Sequence, residues 1–323
     1  MKTAILCFSE NGLKLAEGLA KSLDGETTVR FKEHDDLGTL FKESDALIFI
    51  CAAGIAVRLV APYLESKTTD PAVLVIDDQG RHVISLLSGH IGGANALTKE
   101  IAGRIGAEAV ITTATDGAGK FSCDAWAATH GCSISSMETA KKNSPAILEK
   151  DIPVSSEYEL PGCLPNGLVK GDSGDLGIYI GIKTAEPYRE TLRLVPSVVT
   201  VGIGCKRGTE AQRLIDAVKE VLKDNEIDEK AIYHIASIDI KKDEEGLLAC
   251  ADYFGVPTAF YSAEVLNDIQ GEFDESDFVK EMTGVGNVCE RAAVAQGGRL
   301  IVGKTAKGGI TVAVSVKDRR IEF

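Results

Sequence analysis

The stretch Ser85-Leu86-Leu87-Ser88-Gly89-His90-Ile91-Gly92-Gly93-Ala94-Asn95 passes from an apolar run through a glycine turn into a helical pattern. A strand that hands over to a helix in this way is half of a strand–helix–strand unit, and such units build sheets covered by helices. Outward from it the alternation continues. Strands are predicted at 2–8, 27–31, 46–51, 72–76, 82–86 and 109–111, and helices at 11–23, 55–64 and 94–105. The polar turn Asp77-Asp78-Gln79-Gly80-Arg81 joins two of these strands as a hairpin, so the sheet is expected to be mixed.

Past residue 117 the pattern thins, and six of the nine prolines fall within 117–196. A long structureless loop is unusual in a compact chain, so a small middle subdomain is expected there, followed by a linker over 186–196. The pattern then resumes. Strands are predicted at 197–203, 231–237 and 257–261, helices at 209–223, 244–254 and 287–295, and a closing hairpin from 299–302 and 310–316. The expected fold class is α/β: two α/β domains, 1–116 and 197–323, with mainly parallel or mixed sheets flanked by helices, joined by the middle segment 117–196.

The chain has 323 residues, enough for two cores of ordinary size. No apolar run approaches the roughly 20 residues that span a bilayer, and the N-terminus lacks a cleavage pattern. The expectation is a cytoplasmic protein without a membrane partner. Net charge is −13, which argues against nucleic-acid binding through phosphate neutralisation. Local basic clusters can still hold a small polyanion. The eight cysteines form no C-x-x-C pair, so no metal site or disulfide framework is expected.

Three glycine turns carry the candidate chemistry: 85–95, Val201-Gly202-Ile203-Gly204-Cys205-Lys206-Arg207-Gly208-Thr209, and Thr283-Gly284-Val285-Gly286-Asn287-Val288-Cys289-Glu290. Glycines let a ligand approach the main chain, and a helix N-terminus favours anions. In open sheets, ligands bind beyond the carboxyl ends of strands, where these turns are expected. The same glycines also serve as plain turn punctuation. The expected ligand-facing set is Ser88, Gly89, Gly92, Gly93 and Asn95 in the first turn, Gly202, Gly204, Cys205 and Arg207 in the second, and Gly284 and Gly286 in the third. Arg58 joins them as a bidentate clamp for a carboxylate, and Lys67 is a second candidate clamp. Lys206, Lys304 and Lys307 lie on the same turns or beside the hairpin. Neither downstream turn is G-x-G-x-x-G, so the dinucleotide fingerprint is absent from both.

His90 is the candidate acid/base. At a helix start the dipole favours the neutral imidazole, which suits proton transfer. A backbone-capping histidine is the alternative. Asp116, just past a strand, either orients His90 or shapes a turn. Asp243 and Ser262 have the positions of helix N-caps. Cys205 and Cys289, near helix starts, gain thiolate character there, though neither has a histidine within sequence reach.

Together with Gly54-Ile55-Ala56-Val57-Arg58, Asp70-Pro71-Ala72-Val73 and Thr112-Thr113-Ala114-Thr115-Asp116, the opening stretch resembles the N-terminal domain of cobalt-precorrin-5A hydrolases. The blocks VGIGCKRGT (201–209), SIDIKKDEEGL (237–247), FYSAE (260–264), GVGNVCERAA (284–293) and GKTAKGGITVAV (303–314) resemble that family's C-terminal domain, in the same order. That domain also resembles a stand-alone protein of the aerobic corrin pathway. The resemblance implies an enzyme of anaerobic cobalamin biosynthesis, a carbon–carbon bond hydrolase. It would open the δ-lactone of cobalt-precorrin-5A and release acetaldehyde to give cobalt-precorrin-5B. It implies no organic cofactor, since the cobalt arrives within the substrate. A tetrapyrrole rimmed by carboxylates would be the partner, in a cleft between the domains, with transient contacts to neighbouring pathway enzymes. His90, oriented by Asp116, would activate water, and helix-start N–H groups would hold the oxyanion. The rival reading is a corrinoid carrier of the same pathway without chemistry.

Overall fold

Ala46–Ile50 is a run of five apolar residues, all buried. A strand with no polar side is one covered on both faces, as parallel strands between helices are. The computed structural model, which describes residues 1–66 and 69–323, has this architecture in its first part. The chain divides into two compact units: 1–129 with 144–151 and 165–167, and 130–143 with 152–164 and 168–323.

The first unit runs β1 (Lys2–Cys7), α1 (Glu10–Ala20), β2 (Glu26–Phe31), α2 (Leu37–Glu43), β3 (Ala46–Ile50), α3 (Ala53–Val60), β4 (Ala72–Ile76), β5 (His82–Leu87), α4 (Ala94–Ile105), β6 (Glu108–Val110), α5 (Ala114–Gly117) and α6 (Cys123–Thr129). Its sheet has the order β2-β1-β3-β4-β5-β6. The first four strands are parallel. The expected hairpin turn at Asp77 reverses β5 against β4, and β6 then pairs parallel to β5. The mixed sheet follows from that one turn. Core layers pack on both faces, one around Ile5, Ile48 and Leu74 and the other around Leu6, Leu47 and Phe49. Each large buried side chain of this kind stabilises the unit by about 2–3 kcal/mol.

The second unit holds two sheets. The next elements are β7 (Cys132–Ile134), α7 (Met137–Glu149, which runs across the division), β8 (Ile152–Ser156), β9 (Leu168–Lys170), β10 (Leu176–Ile180) and β11 (Glu190–Pro196). The five strands form a sheet of order β7-β11-β10-β8-β9. The expected linker over 186–196 is therefore corrected. Its Leu192, Leu194 and Val195 are fully buried, and β11 pairs with β10 and β7. Pro196 is the last residue of the strand. The first unit also runs beyond the expected boundary at 116, taking in α6.

The remaining elements are β12 (Val199–Cys205), α8 (Ala211–Asp224), β13 (Ile232–Ile238), α9 (Glu245–Phe254), β14 (Thr258–Tyr261), α10 (Ala263–Asp268), α11 (Asp277–Thr283), α12 (Val288–Val294), β15 (Arg299–Lys307) and β16 (Ile310–Val316). Their sheet has the order β14-β13-β12-β16-β15. The first three are parallel and the last two return antiparallel. Helix α8 buries Leu214, Ile215, Val218, Val221 and Leu222, the i, i+1, i+4, i+7, i+8 face of a surface helix. Ser262 caps α10 by accepting from the Val265 N–H, as its position suggested.

Candidate functional site

The β5–α4 turn and the segment after β6 leave adjacent parallel strands at the same edge. That placement brings His90 and Asp116 together. The His90 Nε2 lies 3.0 Å from Asp116 Oδ2. The same oxygen accepts from Asn95 Nδ2 at 3.0 Å and from Thr113 Oγ1 at 2.8 Å, while Lys99 Nζ reaches Oδ1 at 3.2 Å. Partial burial raises the affinity of Asp116 for a proton, but the hydrogen bonds from Thr113, His90 and Lys99 outweigh it and hold the carboxyl below its usual range. An ionised carboxylate only accepts, so the imidazole proton sits on Nε2. The Nδ1 atom is then the basic nitrogen, and no hydrogen bond occupies it among the described residues.

The turn itself explains its glycines. Gly93 takes φ 80° as the cap of α4, and a Cβ on Gly92 would collide with the Ser88 side chain. Three sequence expectations change here. His90 is four residues ahead of Ala94, outside the helix start. The Ala94 and Asn95 amides donate to the Ser88 and Gly89 carbonyls, so they hold the turn rather than an oxyanion. The turn also lies at the carboxyl ends of β5 and β6, which is the amino-end edge of β1, β3 and β4, because β5 runs backwards.

The Ser88 hydroxyl is buried, and Asn95 is 5% exposed and bonded to Ser85, Thr113 and Asp116. Neither side chain faces a ligand as expected; Asn95 positions Asp116. Arg58 is exposed on α3 and makes no ion pair or hydrogen bond to this cluster. Lys67 lies outside the described residues. Thr113 and Lys99 were missed, although Thr113 stands three residues before Asp116 and Lys99 one turn after Asn95.

In the second unit, Gly204, Cys205, Arg207 and Gly286 line one pocket of about 740 Å³, within the range of small-molecule sites. It opens past the carboxyl ends of β12 and β13, beside the β15–β16 hairpin. Phe278 and Met282, both 68% exposed, stand at its lip on α11. Large apolar side chains left in water beside a pocket make it a candidate binding surface. The sequence signal was an i, i+4 apolar pair in a polar stretch, and it went unread.

Five cations line this pocket. Arg207 pairs with Asp243, Lys241 with Glu244, Lys304 with Asp274 and Lys307 with Glu220, whereas Lys206 has no ion pair among the described residues. Asp243 is thus a partner for Arg207, and Glu244 takes the cap position of α9. The buried Glu244 also accepts from the Gly208 N–H at 2.6 Å, fastening the second glycine turn.

Gly202 and Gly284 are corrected as ligand contacts. A Cβ on Gly202 would overlap the Cys289 carbonyl, so this glycine allows α12 to lie against β12. Gly284, at φ 77°, ends α11. The thiolate expectation also fails. Burial raises the Cys205 thiol despite Lys241 nearby, and it pushes Cys289 up to about 11.

The family model for the cobalamin synthesis G N-terminal region matches residues 35–116, and the model for the cobalamin synthesis G C-terminus matches 199–315. Together they cover well over half of the chain. The chain belongs to the cobalamin synthesis G family. A cobalt-precorrin-5A hydrolase of Salmonella typhimurium is 34% identical over 97% of this chain and 97% of its own length. One from Priestia megaterium is 31% identical over 97% of this chain and 94% of its own. Protein CobE of a Sinorhizobium species is 33% identical over 36% of this chain and 79% of its own length.

Proposed function

We propose that this chain is a hydrolase of anaerobic cobalamin biosynthesis that opens the δ-lactone of cobalt-precorrin-5A and releases acetaldehyde to give cobalt-precorrin-5B. Similarity along nearly the whole chain to two proteins of that name supports the reaction. The observation that carries the chemistry is the open Nδ1 of His90, set behind an ionised carboxylate. In this reading Nδ1 takes a proton from water as the oxygen adds to the lactone carbonyl. Asp116 steadies the imidazolium that results. The proton passes to the departing alkoxide, giving a secondary alcohol, and the new carboxylic acid releases its own proton to water and becomes a carboxylate. Loss of the alcohol proton then breaks the bond between the carbinol carbon and the macrocycle. Acetaldehyde leaves, and the electron pair goes to the ring, which takes up a proton.

The second unit's pocket has the chemistry to bind such a substrate, with an apolar wall of Ile238, Phe278 and Met282 and cations at its rim. The unpaired Lys206 is the proposed carboxylate contact. The cobalt belongs to the substrate, and the reading invokes no organic cofactor. A cytoplasmic location is part of it; among the described residues no helix is long and apolar enough to cross a membrane. The test is anaerobic incubation with cobalt-precorrin-5A and assay of acetaldehyde. Release at one equivalent per substrate is expected, and tight binding without aldehyde would make the protein a carrier instead.

A further inference from the structure

A second pocket in the second unit, of about 640 Å³, carries a different signature. It lies at the opposite end of the β12–β16 pair from the glycine turns, where β16 ends at Val316 and β15 begins at Arg299. Five cations line it: Lys183, Arg299, Lys317, Arg319 and Arg320. The protein has 48 acidic side chains against 35 basic ones, yet none of these five forms an ion pair among the described residues. Lys183 donates to the Asn225 carbonyl and Lys317 to Gln296, and Arg319 donates to the His130 carbonyl. Arg299 and Arg320 are exposed and have no partner among the described residues.

The two acidic residues of the lining do not neutralise this charge. Glu157 turns its carboxylate to the Ile182 N–H at 2.6 Å, and neither it nor Asp318 pairs with any of the five. Like charges gathered around a concave space repel one another and concentrate a positive field there, against the negative field of the whole chain. A bound anion relieves that repulsion. The floor is apolar, with Ile227, Ile301 and Val316 among its residues, so the favoured anion carries hydrocarbon as well as charge.

We infer that this pocket is a second ligand site, separate from the glycine-turn pocket, that binds an organic polycarboxylate. Two sources share that chemistry: a carboxylate-rimmed macrocycle and a small aliphatic polycarboxylate. Calorimetric titration of the full chain with uroporphyrin and, separately, with citrate distinguishes them. Arg299→Gln/Arg320→Gln, a change of exposed side chains, is expected to weaken at least one of the two ligands by about tenfold. Lys206→Gln, in the other pocket, should leave that component of binding unaltered. Uroporphyrin alone responding assigns a macrocycle, and citrate responding assigns the aliphatic class. If neither ligand responds to the double change, or if Lys206→Gln removes the same binding component, the second site is refuted. Because the readout is binding, it is independent of acetaldehyde release.

Discussion

Asp116→Asn is the substitution that most sharply tests how the β5–α4 turn would work. The side chains are nearly isosteric, so the carbonyl of the introduced amide can still accept from Nε2 of His90, but the negative charge is gone. In the folded protein that charge sits 3.0 Å from the imidazole nitrogen. When Nδ1 takes a proton, the imidazolium and the carboxylate are unit charges with centres about 4 Å apart, worth about 4 kcal/mol at an effective dielectric near 20. The two side chains are 21% and 22% exposed, and screening lowers the figure to about 3 kcal/mol. A loss of that size in the transition state is about a hundredfold in kcat. The charge matters only when the proton moves, so KM should stay close to wild type. Acetaldehyde release followed through an alcohol-dehydrogenase couple under anaerobic conditions gives both constants. A kcat within about threefold of wild type would refute the idea that Asp116 stabilises a cationic His90.

Lys206→Gln should raise KM for the corrinoid with little change in kcat, because an ion contact to a peripheral carboxylate is made equally in ground and transition states. Gly202→Ala should destabilise the second unit by about 1–3 kcal/mol, since its methyl would overlap the Cys289 carbonyl; denaturant unfolding measures it. His234 is 2% exposed, neither ring nitrogen has a hydrogen-bond partner among the described residues, and burial lowers its pKa to about 4, with Lys317 adding to the effect. The neutral form is the one that folding tolerates, so its contribution is complete above the unfolded pKa of 6.5 and is lost as pH falls from there to about 4. That loss is about 3 kcal/mol. It should be visible as weakened hydrogen-exchange protection of β13 in wild type and absent in His234→Leu.

Much of the fold was legible because its strands and helices carry local patterns. The wholly apolar 46–50, the apolar face of α8 and the glycine stop of α4 at Gly106 each declare themselves within a few residues. Helix α2 gave no such signal: in seven residues it buries only Leu37 and Phe41. Strand β11 was hidden by its terminal Pro196 and by the thin pattern around it, although its burial is set by neighbours on both sides.

The site was legible in part. His90 and Asp116 stood out by residue type beside glycines, and they meet because β5 and β6 are parallel neighbours. The work of Thr113, Lys99 and Asn95 around the Asp116 carboxylate depends on side-chain directions, which no spacing rule supplies. Of the glycines, Gly204 and Gly286 line a pocket, whereas Gly202 serves close packing. Composition cannot separate those two uses, because both need a missing Cβ.

The role of His90 as the base is the central claim. The direct measurement is a single-turnover incubation of His90→Ala with cobalt-precorrin-5A, in which bound corrinoid and released acetaldehyde are quantified on the same sample. The expected result is corrinoid bound as in wild type and acetaldehyde release reduced by at least about a hundredfold. Wild-type acetaldehyde release from that variant would contradict it.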